Sequence, residues 1–276
     1  MTSNTDPTPS VRASGFPMGG LLALGLVTDF LDTLGVGSFA TTTTALRLGR
    51  VVDDEKVPGT LNVGHAIPTI LEAALFLTAV DVDILTLVTM VAAGGLGAWF
   101  GTGIVVKWPR RTIQRAMAAA LLITATFIVL RQTHLFPSGG SSIGLSGGAL
   151  LLAVAASAVI GSLTSLGIGN YAPTMAVTYM LGMDPKSVFP IMAASASLIL
   201  PTAAYRFFRS GRFDRRTALG LAIGGVPGVL IAVFLVKELN VTVLLWVVVA
   251  VLLYTSATLY RSSLGEGAKM DVPELS

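Results

Sequence analysis

The sequence predicts an all-α polytopic membrane protein made of two inverted repeats, each a broken re-entrant helix pair followed by three transmembrane helices. Three observations carry that prediction. Charge is scarce: 18 Lys and Arg and 15 Asp and Glu amount to 12% of the 276 residues, against about 25% in a soluble domain. Apolar residues, 53% of the chain, gather into stretches of the roughly 20 residues that a helix needs to cross a bilayer. Two longer apolar stretches are interrupted by Gly-x-Gly, and the interruptions recur about half a chain apart.

The same numbers exclude other classes. A soluble globule of this size could not cover its surface with so few charges, and so apolar a chain does not stay solvated as a disordered one. A net charge of +3, with no basic stripe interleaved with aromatics, speaks against a nucleic-acid partner. There is no cysteine, which removes disulfides, thiol catalysis and thiolate metal sites.

Residues 1–17 are polar and lack the short apolar core of a signal peptide, so they read as a cytoplasmic tail. Repeat 1 occupies 18–131: a broken segment at 18–48, then helices at 61–80, 84–106 and 113–131. A connecting loop fills 132–145. Repeat 2 occupies 146–260: a broken segment at 146–181, then helices at 187–207, 216–236 and 240–260. A polar tail, 261–276, closes the chain. The breaks fall at Leu34-Gly35-Val36-Gly37-Ser38-Phe39 and Leu166-Gly167-Ile168-Gly169-Asn170-Tyr171. Gly-x-Gly inside an apolar run predicts unwound backbone, tolerated at membrane depth only inside protein or beside a wet cavity. New helices are expected to follow, because Ser38 and Asn170 are N-cap types and Pro173 falls in a first turn. The repeat extends beyond the breaks: Ala66-Ile67-Pro68-Thr69 matches Ile199-Leu200-Pro201-Thr202, and Gly94-Gly95 matches Gly224-Gly225.

The distribution of basic residues decides whether the broken segments cross. If both cross, the 18 Lys and Arg divide evenly between the two sides. If both are re-entrant, only Arg131, Lys186 and Lys237 fall on one side and all the others on the other. The second arrangement is the expected one, with six full spans and both termini cytoplasmic.

The helix starts after the breaks are the first candidates for function. Their free backbone N–H groups and the helix dipole make a cradle for an anion. The candidate site takes in Gly37, Ser38, Phe39, Thr41 and Thr42 at one start and Gly169, Asn170, Tyr171 and Thr174 at the other. Asn62, His65, Thr69 and Glu72 share one face of the next helix at steps of 3, 4 and 3. Asn62 and His65, with Ser195 and Ser197 of the second repeat, are read as its side walls. Asp32, His65 and Glu72 are the candidates for proton coupling, since intramembrane carboxylates are costly. Each feature has a plainer reading beside it. The glycines could serve close helix packing, and the polar groups could bond between helices. Pro68 and Pro201 are expected to kink their helices. No HExxH, Gly-x-Ser-x-Gly or Walker loop is found, and His65 and His134 do not make a metal site, so neither an enzyme nor a metal or other cofactor is expected.

The strings Asp32-Thr-Leu-Gly-Val-Gly-Ser-Phe39, Pro58-Gly-Thr-Leu-Asn-Val-Gly-His65, Leu166-Gly-Ile-Gly-Asn-Tyr-Ala-Pro173 and Gly182-Met-Asp-Pro-Lys186 resemble the TauE/SafE family of sulfite and organosulfonate exporters, also called toluene-sulfonate uptake permeases. The similarity runs over roughly 18–260. Many members carry a longer glycine run at the first break, a departure that bears on substrate contacts rather than on fold. The resemblance implies a secondary transporter, more an exporter than an importer, of sulfite or a small organosulfonate or organic anion across the bacterial inner membrane. Its partners would be that anion, the lipid bilayer and protons, with a homodimer left open. Two rivals remain: an anion channel using the same neutral site, and a non-transporting membrane scaffold.

Overall fold

The computed structural model describes residues 16–35, 37–135, 139–167 and 169–235, with residues 246, 249, 250, 253, 254, 256, 257, 259–261, 263 and 264. Most of both expected tails, Lys237, and the middle residues of the breaks, Val36 and Ile168, lie outside the described residues. So does much of the helix expected at 240–260, whose described residues are helical.

Ten α-helices have bounds within 16–235. The first broken segment gives α1 (Met18–Thr33) and α2 (Ser38–Leu48). After a 3-10 turn, Asp54–Lys56, come α3 (Val57–Gly64), α4 (Ala66–Ala79), α5 (Ile84–Val105) and α6 (Arg110–Gln132). The second broken segment gives α7 (Gly147–Thr164) and α8 (Tyr171–Met180), followed by α9 (Pro185–Ser210) and α10 (Arg215–Leu235). The only strand-like feature among the described residues is a single bridge between Ser142 and Met183.

Local chemistry sets several boundaries. Gly35, Gly37 and Gly167 have φ of 82°, 89° and 93°, a region that L side chains avoid, so the glycines permit the two breaks. Asp184 accepts from the N–H groups of Lys186 and Ser187, and Pro185 supplies the first turn of α9. Asp83 caps α5 in the same way, accepting from the N–H and hydroxyl of Thr86. These bonds hold the Asp83 carboxyl below the usual carboxylate range. The helix expected at 61–80 is corrected: it begins at Val57 and is interrupted at His65. Pro68 brings no N–H for the carbonyl four residues back and crowds it, which places the interruption at Gly64–His65. By contrast α9 runs unbroken through Pro190 and Pro201.

Six helical stretches among the described residues are long and apolar enough to cross a membrane: 54–79, 84–105, 110–132, 147–164, 185–210 and 215–233. Leu96, Phe100, Ile104, Leu122 and Leu152 stand exposed, as contact with lipid requires. The interior instead holds many buried polar side chains, an inversion of the soluble pattern.

Two groups of loops gather at the helix ends. In one, Arg212 pairs with Glu55 at 3.6 Å and donates to the carbonyls of Val106 and Trp108. The Asp214 N–H also donates to Thr60 there, and the buried Asp54 accepts from Arg47, Arg110 and Gln114. In the other, Ser187 donates to the Asp81 carbonyl, Asp83 N–H to Ile143, and Asp184 N–H to Ser142. Phe16, before α1, lies against Gly49, after α2, so the first broken segment returns to the first group. The second starts at Ser146 and ends at Gly182, whose carbonyl accepts from Ser142, so it returns to the second group.

Glycine seams hold the bundle together. A Cβ on Gly97 would fall on the Ala158 carbonyl of α7, and one on Gly101 would lie 2.6 Å from Ser162. On the other side Gly224 and Gly228 of α10 meet the carbonyls of Leu22 and Leu26 of α1. Such contact between backbones is what small residues permit in lipid. Gly97→Ala is therefore expected to destabilise the detergent-solubilised protein by about 1–3 kcal/mol, read as a lower Tm. Gly148→Ala, with nothing within 4 Å of its added Cβ, should leave Tm unchanged or higher.

Candidate functional site

The two breaks meet. Asp32, Gly37, Ser38 and Phe39 from the first, and Thr164, Gly169, Asn170 and Tyr171 from the second, line one cavity with Thr69, Ala196 and Leu200. Its volume is about 10 Å³, near what a single water needs. An oxyanion does not fit it as it stands.

The helix starts on the cavity wall are built differently from each other. The expectation that Ser38 caps α2 is corrected: Gly37 holds the cap position without a side chain, and Ser38 is the first helical residue. The cap comes from six residues upstream, across the break. Asp32 Oδ1 accepts from the Ser38 N–H at 2.7 Å, and Oδ2 from the Ser38 hydroxyl at 3.0 Å. Asn170 does hold the cap position of α8, yet its side chain makes no cap. Its Nδ2 donates instead to the Met192 carbonyl of α9 at 3.0 Å.

Behind Asp32 lies a second tie between α1 and α2. His65 Nδ1 donates to both oxygens of Asp29 at 2.9 and 3.0 Å, and Nε2 lies 3.0 Å from the Thr42 hydroxyl. All three are buried. The carboxylate fixes the imidazole's orientation, as in any Asp–His pair. Gly225 of α10 lacks the Cβ that would collide with Asp29 and Pro68, and Phe39 packs its ring 5.9 Å from that of His65.

Other expected residues surround this core without reaching the cavity wall. Thr41 bonds back to the carbonyls of Gly37 and Ser38, Asn62 Nδ2 donates to Pro58, and Ser197 donates to Ala194. Thr174 and Ser195 are buried, and the Ser195 hydroxyl has no hydrogen-bond partner among the described residues. Glu72 interacts electrostatically with Tyr171 of the wall, but neither reaches hydrogen-bond geometry with a described residue. Sequence reasoning missed Asp29 as the partner of His65, and Thr164, Ala196 and Leu200 as wall. It also missed Arg131, whose Nη1 reaches to 3.5 Å from the Gly35 carbonyl. Two carried a signal, Asp29 as an intramembrane carboxylate before the first break and Thr164 as a hydroxyl residue at the end of a half-helix; Ala196 and Leu200 carried none.

Six apolar helices, a polar interior and two broken segments meeting at a buried cavity define a multi-pass α-helical membrane protein. Residues 138–274 match the family model described as sulfite exporter TauE/SafE. Through this second half, which takes in α7 to α10, the chain is similar to the TauE/SafE family. No curated protein and no solved structure matches the chain.

Proposed function

We propose that the chain is a secondary transporter exporting sulfite or a small organosulfonate or organic anion across the bacterial inner membrane. The observation that carries this reading is the cavity walled by the N-terminal residues of α2 and α8 together. Two helix starts aimed at one space concentrate positive potential without a buried cation. The anion would bind there, contacting Gly37–Phe39 and Gly169–Tyr171. Thr41, Thr42, Asn62, His65, Thr174, Ser195 and Ser197 would form a second layer that turns toward the site as it opens.

Alternating access would arise from two inverted repeats, 18–131 and 146–260, rocking about this site. The return of each broken segment to its own group of loops, at opposite ends of α4, α5, α6 and α9, supports that arrangement. So does the exchange of partners by which α1 packs on α10 and α7 on α5. The basic loop group, with Arg47, Arg110 and Arg212, would face the cytoplasm together with both termini. Asp32, His65 and Glu72 remain the proton-coupling candidates. The small volume of the cavity favours a carrier over an open channel using the same site.

The test is uptake of labelled sulfite by proteoliposomes of the purified chain, with unlabelled sulfoacetate, taurine, thiosulfate, sulfate and acetate as competitors. Saturable uptake competed by some of these is expected. Absence of uptake under either sign of pH gradient would remove sulfite as substrate, and large uncoupled conductance would replace the carrier by a channel.

A further inference from the structure

We infer that the Asp32 carboxylate is a tethered stand-in for the transported anion, holding the N-terminus of α2 in the closed site until a proton neutralises it and the anion takes its place. The inference rests on the anion-transport reading and adds to it the residue through which anion and proton are exchanged.

The two helix starts are unequal in a way that points to Asp32. At α2, the backbone N–H and the hydroxyl of Ser38 are both spent on Asp32. Charge-assisted bonds of this kind are what an incoming oxyanion would make there. At α8 no side chain caps the helix start. The Asn170 amide is turned to Met192, and the buried Tyr171 hydroxyl has no hydrogen-bond partner among the described residues. One half of the cradle is thus already filled by the protein's own anion, and the other stands ready. The cavity between them holds room for about one water, so an entering anion must displace something.

The surrounding charges single out Asp32. Asp29, three residues back on α1, is taken by His65 of the α3–α4 junction. Glu72 of α4 interacts with Asp32 and Tyr171 but is not on the cavity wall. From α9 only Ala196 and Leu200 reach the wall, and from α2 only Ser38 and Phe39 beside the Gly37 cap. Arg131 of α6 touches the turn at Gly35. An ionised Asp32 and a bound anion at one helix start would repel each other at short range in a poorly solvated site. A protonated Asp32 would not, and it could swing away on the turn that Gly35 and Gly37 make.

Methanesulfonate is the suitable probe, since a sulfonate stays ionised between about pH 5 and pH 9, so that any change of affinity there comes from groups of the protein. For the purified full-length protein, its affinity is expected to fall as pH rises, with about one proton taken up from weakly buffered solution per anion bound. Asp32→Asn keeps an oxygen to accept from Ser38 and removes the charge. It should bind methanesulfonate about tenfold more tightly at neutral pH, because a neutral amide neither repels the anion nor holds the helix start as strongly as a carboxylate. Its pH profile should be flat and its proton uptake absent, and sulfite counterflow in proteoliposomes should persist without a response to a pH gradient. An Asp32→Asn protein that keeps the wild-type pH profile and proton count would overturn the inference and leave transport standing. Wild-type protein that neither binds methanesulfonate nor takes up sulfite would overturn both. The proton count on wild type needs no variant, so a count of zero throughout about pH 5 to pH 9 refutes the inference even where Asp32→Asn does not fold.

Discussion

Proteoliposomes carrying the double variant Ser38→Leu, Asn170→Leu are expected to take up labelled sulfite no faster than empty vesicles. Both residues are buried on the wall of a cavity that holds little more than one water. Two isobutyl groups would fill that space and cover the helix starts with hydrocarbon, which removes the polar cradle as well as the volume. The bonds from Ser38 to Asp32 and from Asn170 to Met192 are lost too, so stability must be read alongside activity. Overpacking costs about 1–3 kcal/mol at each site. An unchanged elution volume and helical circular dichroism would assign the loss to the site. Thr126→Leu, on the exposed side of α6, should transport as wild type. Uptake that survives in a folded double variant would place the anion path elsewhere.

His65→Ala is expected to be the most destabilising single change in the interior. His65 and Asp29 are each 0% exposed, and removing the imidazole strands the carboxylate and the Thr42 hydroxyl together. Breaking a buried pair by deleting one partner costs about 3–5 kcal/mol. That corresponds to a fall in Tm on the order of 10 °C for the solubilised protein. Adding Asp29→Asn should recover part of the loss, because the amide leaves no charge behind. A double variant as unstable as the sum of the single ones would mean that the pair is not what ties α1 to α2 through the α3–α4 junction.

The broken segments were legible in the sequence because their cause is local. Gly35, Gly37 and Gly167 sit at backbone angles that need glycine, and apolar length flanks them on both sides. The pairing of Gly94-Gly95 with Gly224-Gly225 could be read as a repeat; in the structure Gly94 lies against Gly161 of α7 and Gly224 against Leu22 of α1, whereas Gly95 and Gly225 face side chains. The break at His65 was half legible: Pro68 was expected to bend a helix, but its effect falls one turn earlier, on the carbonyl that it deprives. The cap of α2 was not legible, since Asp32 reaches Ser38 across a turn rather than along a helix. Nor was the link from Asp29 through His65 to Thr42, whose members stand 36 and 23 residues apart. Helical periodicity assigns a face to each residue, whereas the partner on the opposing helix comes only with the packing.

The seam between α1 and α10 also governs when the molecule can close. α1 is made before α10, and the glycines that receive its backbone, Gly224 and Gly228, emerge only after the eight helices α2 to α9. Until then α1 has no surface that accepts it so closely, and its small-residue face waits in lipid. α5 and α7 have no such wait, because only α6 separates them. During insertion the seam between α5 and α7 can therefore assemble before the seam between α1 and α10, and α1 is locked in place late.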